Sequence, residues 1–172
     1  MSCTLFHLSG LISLKTLHER AFRYLFKGVP AQQIQRWALK FLEETFDQLL
    51  YAPAIERLNL AKEAGHFIVI LSSAPEFLVE PIAHRLNIMH WKATEYGLDK
   101  KACYSHLSKL MLGTDKASYI NHLKSQKKTS VVTAYSDSYF DLPFLLSADV
   151  AIGVNPDRKL KAICKNRKWL II

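Results

Sequence analysis

The run Ser130-Val131-Val132-Thr133-Ala134 passes without a break into Tyr135-Ser136-Asp137-Ser138-Tyr139-Phe140-Asp141-Leu142-Pro143. A short continuous apolar run rich in β-branched residues reads as a strand buried on both faces, the kind a parallel sheet holds between helices. Parallel strands need a long crossover, usually a helix, so this segment commits its neighbourhood to alternating α and β elements. It also delivers two carboxylates, four residues apart, at the strand's C-terminal end. In open α/β sheets that end is where ligands bind. Two acids so placed can hold a hard cation through oxygen, with water and a substrate phosphate filling the other positions.

The rest of the chain fits that architecture. Leu14, Leu17, Ala21 and Leu25 repeat at helical spacing and predict a helix over Leu14 to Phe26, stopped at Gly28. A second helix is expected from Ala31 to Leu50, and a third from Pro53 to about Ala64, before Gly65. Phe67 to Leu71 then reads as a buried strand, Glu76 to Leu86 as a helix and Ile88 to Thr94 as a strand. Gly97 to Leu107 alternates loosely, as a small hairpin does. Lys116 to Leu123 reads as a helix, Thr129 to Ala134 as a strand, and Leu142 to Leu146 as a short helix. Val150 to Gly153 is a further strand and Pro156 to Asn166 a last helix. Strands alternating with helices imply a parallel sheet with right-handed crossovers.

Composition narrows the class. With 172 residues, 49% of them hydrophobic and 22% charged, the chain has the material for one globular domain with a real core. The net charge of +8 gathers in Arg158, Lys159, Lys161, Lys165, Arg167 and Lys168. These cations interleave with Leu160, Ile163 and Trp169, which reads as the solvated face of an amphipathic helix. With no aromatic stacking platform beside them, neither a nucleic-acid nor a membrane partner is expected. Cys3, Cys103 and Cys164 are odd in number and widely spaced, which suggests reduced thiols and a cytoplasmic setting. No apolar run approaches a membrane span, and Met1 to Leu14 makes a poor signal peptide.

Two strand ends and one helix start carry polar chemistry. Ile70-Leu71-Ser72-Ser73-Ala74-Pro75-Glu76 runs from a strand through hydroxyls into a helix, where a phosphate is well placed, although capping by Ser73 accounts for it equally. Gly113-Thr114-Asp115-Lys116 puts a lysine in the first turn of a helix, against the helix dipole, which hints at a paired role for Lys116. The Asp137/Asp141 pair follows, an N-cap acid and a helix acid in its plainest reading. Their order, strand-Ser, then G-x-x-K, then strand-D-S-x-x-D, resembles motifs two, three and four of the haloacid dehalogenase superfamily, in its phosphoserine-phosphatase-like branch. The wording around them is similar too: Ser73 to Val79 with Pro81-Ile82-Ala83, Ala93-Thr94, Val154-Asn155-Pro156-Asp157 and the closing Trp169.

The resemblance implies a HAD-type Rossmann-like parallel sheet with helices on both faces and a reduced N-terminal helical cap. It implies a degenerate first strand over 1–12, a cap remnant over 13–64 and an α/β core over 65–172. Ser72 would hydrogen-bond a transferring phosphoryl group and Lys116 would neutralise its charge. Asp137 would be a Mg²⁺ ligand, and Asp141 would complete the acidic site or orient Lys116. The substrate implied is a small phosphorylated metabolite. Such a site works by positioning and electrostatics.

One part is missing from the sequence. The first motif of the family is D-x-D-G-T, which supplies the nucleophile and the general acid/base. This chain has seven Asp residues and no D-x-D. Either Phe6-His7-Leu8-Ser9-Gly10-Leu11-Ile12 is a decayed version, or the true motif lay upstream; the short interval from His7 to Ser72 leans toward the latter. In such folds the first-motif strand is central. Unless Thr4 to Leu8 fills its slot, a complementary N-terminal segment is expected as a partner. The reading is a relative of Mg²⁺-dependent phosphatases, inactive as this isolated chain. The alternative is a non-catalytic phosphate-binding or regulatory module.

Overall fold

The computed structural model describes residues 13–126 and 131–172. Three helices lead: α1 (Leu14–Leu25), α2 (Ala31–Leu49) and α3 (Ala52–Glu63). Then come β1 (Val69–Pro75), α4 (Glu76–Arg85), β2 (His90–Leu98), β3 (Tyr104–Lys109) and α5 (Gly113–Gln126). The chain closes with β4 (Thr133–Ser136), a 3₁₀ turn (Tyr139–Asp141), α6 (Leu142–Ser147), β5 (Val150–Gly153), α7 (Arg158–Arg167) and β6 (Leu170–Ile171). Two compact units result, one of residues 13–46 with 72–110 and the other of 47–71 with 111–172.

In the first unit, β1 (from Ser72 on), β2 and β3 form a sheet in that order. The expected hairpin is present as the antiparallel pair β2–β3. Its core is aromatic. Phe22 and Phe26 at the end of α1 meet Phe77 from α4, Tyr96 from β2 and Tyr104 from β3, with ring centroids 4.8 Å (Phe22–Tyr96) and 5.3 Å (Phe26–Phe77) apart. Tilted and edge-on pairs at this spacing add favourable quadrupole contacts to the burial of ring area. Ala31, Ile34 and Ala38 complete the cluster from one face of α2. The loop before α2 is tied to the hairpin by Gly28 N–H to Tyr104 O (2.7 Å) and Ala31 N–H to Ala102 O (3.0 Å).

In the second unit, β4, β5 and β6 form a parallel sheet, with Thr133 opposite Val150 and Ser136 opposite Gly153. Ile120, Ala134, Leu145, Ala151, Leu160 and Cys164 pack around it, and Leu145, Leu160 and Cys164 are wholly buried. Helix α7 begins at Asp157, whose carboxylate accepts from Leu160 N–H (2.9 Å). It ends on Lys168 in the left-handed region (φ 57°), with Trp169 N–H on Cys164 O (2.9 Å). That reversal feeds β6, a two-residue strand too short to leave a pattern in the sequence.

Element types follow the sequence closely, while strand limits move. β1 starts two residues later than expected and runs on through Ser72 and Ser73 to Pro75, half-buried along its whole length. Pro75 precedes α4 with no side-chain cap, so Ser73 is a strand residue and not the helix cap. β4 likewise reaches past its apolar run to Tyr135 and Ser136. In both, pairing is made by backbone groups, which tolerate polar side chains that periodicity counts as loop. Each sheet has an end strand, β1 in one and β4 in the other, with a single neighbour among the described residues. The expectations for Thr4 to Leu8, His7 and Cys3 lie outside the described residues.

Two predictions follow from these cores. Leu145→Ala removes a wholly buried side chain and is expected to cost ~2–5 kcal/mol of unfolding free energy in urea melts. Burial pushes the Tyr96 hydroxyl up to about 12 from 10. The folded state therefore holds this proton more tightly than the unfolded state, and stability is present below pH ~10 and lost as pH rises toward ~12. Melts across that range should show a loss on the order of 2 kcal/mol that is absent in Tyr96→Phe.

Candidate active site

The site is assembled from short-range geometry at the C-terminal end of β4. Strand alternation buries Ala134 and Ser136 and exposes Thr133 and Tyr135. Beyond Ser136 the chain turns sharply. Ser138 Oγ accepts from Phe140 N–H (3.3 Å) and opens the 3₁₀ turn that carries Asp141 back toward the strand. There Ser136 Oγ donates to Asp141 Oδ2 (2.8 Å) and accepts from Ser138 N–H (3.2 Å).

Lys116 arrives from α5. Its helix starts at Gly113, three residues ahead of the expected limit, and Lys116 N–H bonds Leu112 O (2.9 Å). A Cβ on residue 113 would stand 2.3 Å from Phe140 O, so only glycine lets α5 come this near the 3₁₀ turn. The approach brings Lys116 Nζ to 2.8 Å from both oxygens of Asp141. Both side chains are buried, 6% and 13% exposed. The ammonium also lies 5.9 Å from the centre of the Phe144 ring, over its face. A lysine placed against its helix dipole thus has a dedicated counterion, the paired role its position suggested.

Asp141 is fully engaged, with Oδ1 on Lys116 and Oδ2 shared between Lys116 and Ser136. Asp137 is differently placed. Its carboxylate has no hydrogen bond or ion pair among the described residues and lines an open concavity of about 340 Å³ with Tyr51, Tyr135, Ser136, Val154 and Asn155. Its backbone is fixed, because Asp137 O accepts from Asp157 N–H (2.7 Å). Asp157 does double service. One oxygen caps α7 through Leu160 N–H (2.9 Å) and the other holds Tyr139 N–H (2.6 Å). Ser136 and Asp157 both lie in segments whose wording was informative, yet neither was assigned a role. The polar residue at a buried register position of β4, and the Asp heading an apolar helix, were the available signals.

Ser72 belongs to the other unit. Its hydroxyl accepts from Ala74 N–H (3.1 Å), a local turn at the end of β1. Ser73 O accepts from the hydroxyl of Thr94, a wholly buried residue (2.8 Å). Glu76 opens α4 with its carboxyl raised above the ordinary range, chiefly by burial and then by Glu95. The structure therefore brings Lys116, Asp141 and Ser136 into one network, sets Asp137 on the adjoining surface, and holds Ser72 within β1, in the other unit.

A magnesium ion needs several oxygen ligands around one point. Among the described residues no cluster of three or more His, Cys, Asp or Glu is suitable for a metal. Asp141 is spent on Lys116, which leaves Asp137 as the one uncommitted carboxylate of the pair. The described residues alone do not make a magnesium site. Cys103 and Cys164 are free thiols, and no helix among the described residues is long and apolar enough to cross a membrane.

Comparison with known proteins agrees with this chemistry. The chain is 30% identical over 151 residues to an inhibition of morphological differentiation protein of Streptomyces azureus, covering 86% of this chain and 54% of that protein. It is 27% identical over 136 residues to phosphoserine phosphatase SerB1 of Mycobacterium tuberculosis, covering 75% of this chain and 44% of that one. It thus spans about half the length of these curated relatives. A crystal structure of a protein of unknown function from Bordetella pertussis Tohama I superposes with a TM-score of 0.84 at 19% identity, over 99% of this chain and 79% of that one. The family model for haloacid dehalogenase-like hydrolases matches residues 4–146. With that match, a HAD-like α/β fold and phosphoserine phosphatases among its relatives, this chain belongs to the haloacid dehalogenase-like hydrolase family.

Proposed function

We propose that this chain carries the phosphate-binding half of a phosphatase for small phosphomonoesters and is inactive by itself. The observation that supports the reading most is the buried Lys116, held by Asp141 and aligned by Ser136. A cation kept at low exposure by one carboxylate is a ready partner for a dianionic phosphoryl group. By the resemblance, Ser72 would donate a hydrogen bond to a transferring phosphoryl group, and Asp141 would orient Lys116. We read the helices of 13–64 as the remnant of a substrate-selecting cap on a core of 65–172. Asp137 is the residue that would contribute to holding Mg²⁺, which supplies charge neutralisation when bound. As the described ligands are too few, no step is routed through it. The D-x-D pair that would attack phosphorus is absent from the sequence. The second reading, a non-catalytic phosphate-binding or regulatory module, rests on the same Lys116 network. A complementary N-terminal segment would complete the fold.

The expected outcome is that inorganic phosphate, titrated calorimetrically into the chain, binds measurably and that Lys116→Ala weakens it roughly tenfold, the loss of about one charge-assisted hydrogen bond. A generic phosphate ester should show no turnover. The absence of any phosphate heat sinks the binding reading, and robust turnover abolished by Asp137→Asn sinks the claim of inactivity. A separate expectation concerns stability. Asp141→Asn leaves a buried ammonium without its counter-charge, which should cost ~3–5 kcal/mol in urea melts. Asp137→Asn, altering an uncommitted carboxylate, should cost under ~1 kcal/mol.

A further inference from the structure

The concavity beside Asp137 has a composition that the phosphate-binding role leaves unexplained. Among the described residues its lining is Tyr51, Tyr135, Ser136, Asp137, Val154 and Asn155, with no Lys, Arg or His. A phosphate has no cationic partner among these residues. The Ser136 hydroxyl is already given to Asp141. What remains is two phenol rings, one valine, one amide and one carboxylate.

The rings are held where they are. Tyr135 sits on the exposed side of β4, opposite the buried Ala134 and Ser136, so it cannot turn inward without a register slip. Tyr51 heads α3 in extended backbone (φ −86°, ψ 111°), immediately before the helix. Both remain about two-fifths exposed (42% and 41%), which leaves ring area for a ligand to cover. The opposite wall is equally fixed. Asn155 lies in the left-handed region (φ 39°), its N–H on Ile172 O (2.8 Å), and Val154 N–H is on Ser136 O (2.9 Å). Small-molecule sites commonly combine aromatic walls with a few fixed polar groups, and about 340 Å³ is at their small end.

From this we infer that the concavity takes the organic part of the ester, and that the preferred substrate class is a phosphate monoester whose alcohol carries a single flat ring. Tyr51 and Tyr135 would stack on the ring, while Asn155 would meet its polar edge. The inference rests on the phosphate-binding reading above and adds the identity of the leaving group.

The test compares phenyl phosphate, glycerol phosphate and inorganic phosphate, titrated into the full 172-residue chain. Phenyl phosphate should bind roughly tenfold more tightly than glycerol phosphate, the scale of one aromatic contact. Tyr51→Ala should erase that preference and leave inorganic phosphate unchanged, while Tyr51→Phe, which keeps the ring, should retain it. Equal affinity for the two esters, or a preference that survives Tyr51→Ala, overturns the inference and leaves the phosphate reading standing. Tyr51-dependent binding of phenyl phosphate without binding of inorganic phosphate does the reverse. Failure of all three ligands to bind removes both.

Discussion

Burying a lysine is expensive, because its ammonium leaves water for a medium that solvates it poorly. Lys116 is tolerated only because Asp141 meets it with both oxygens at 2.8 Å, and Asp141 in turn is aligned by the Ser136 hydroxyl. The local architecture of the second unit serves this contact. Gly113 admits the carbonyl of Phe140, the 3₁₀ turn returns Asp141 to the strand, and Asp157 pins that turn while capping α7. Each element is short and cheap to form. Their common product is a fixed Lys116–Asp141 ion pair just beyond the end of β4.

Two features set the limits of this site. The first is chemical: Asp141, spent on Lys116, leaves Asp137 alone as an uncommitted acid, so the described residues fall short of a magnesium cage. The second is topological. β1, which carries Ser72 within it, and β4, which ends just before Asp137, each close a sheet with one neighbour among the described residues. Unpaired strand edges offer backbone donors and acceptors to any segment that can add to them. The chain covers about half the length of these relatives and contains no D-x-D motif.

Much of this was legible in the residues. Helix spacing located α1, α2 and α3 to within a residue or two, because amphipathic periodicity and Gly or Pro at the ends are local signals. Val150 to Gly153 was read to its limits. Strands with polar ends were cut short, since β1 and β4 continue through serines and a tyrosine that pair by backbone alone. β6 was missed because two residues carry no periodicity. Ser72, Lys116, Asp137 and Asp141 were singled out by residue type and order, and Lys116 by its conflict with the helix dipole. The work of Ser136 and Asp157 went unread, as hydrogen bonds between residues 5 and 18 positions apart depend on how the chain turns.

The sequence by itself determined the class of fold and the family, since alternating short apolar runs and helices, with G-x-x-K at a helix start and D-S-x-x-D at a strand end, are local and ordered features. It also shows that these 172 residues contain no D-x-D, which is a matter of counting. Only the tertiary structure decided which acid answers Lys116 and which stays open. Asp137 and Asp141 are the same residue type four positions apart, and pattern cannot separate them. A 3₁₀ turn and a glycine-sized gap carry one carboxylate to the buried ammonium and leave the other facing the concavity between two tyrosines. Charge pairing is a property of distance, and distance here is set by packing between residues 25 positions apart in the chain.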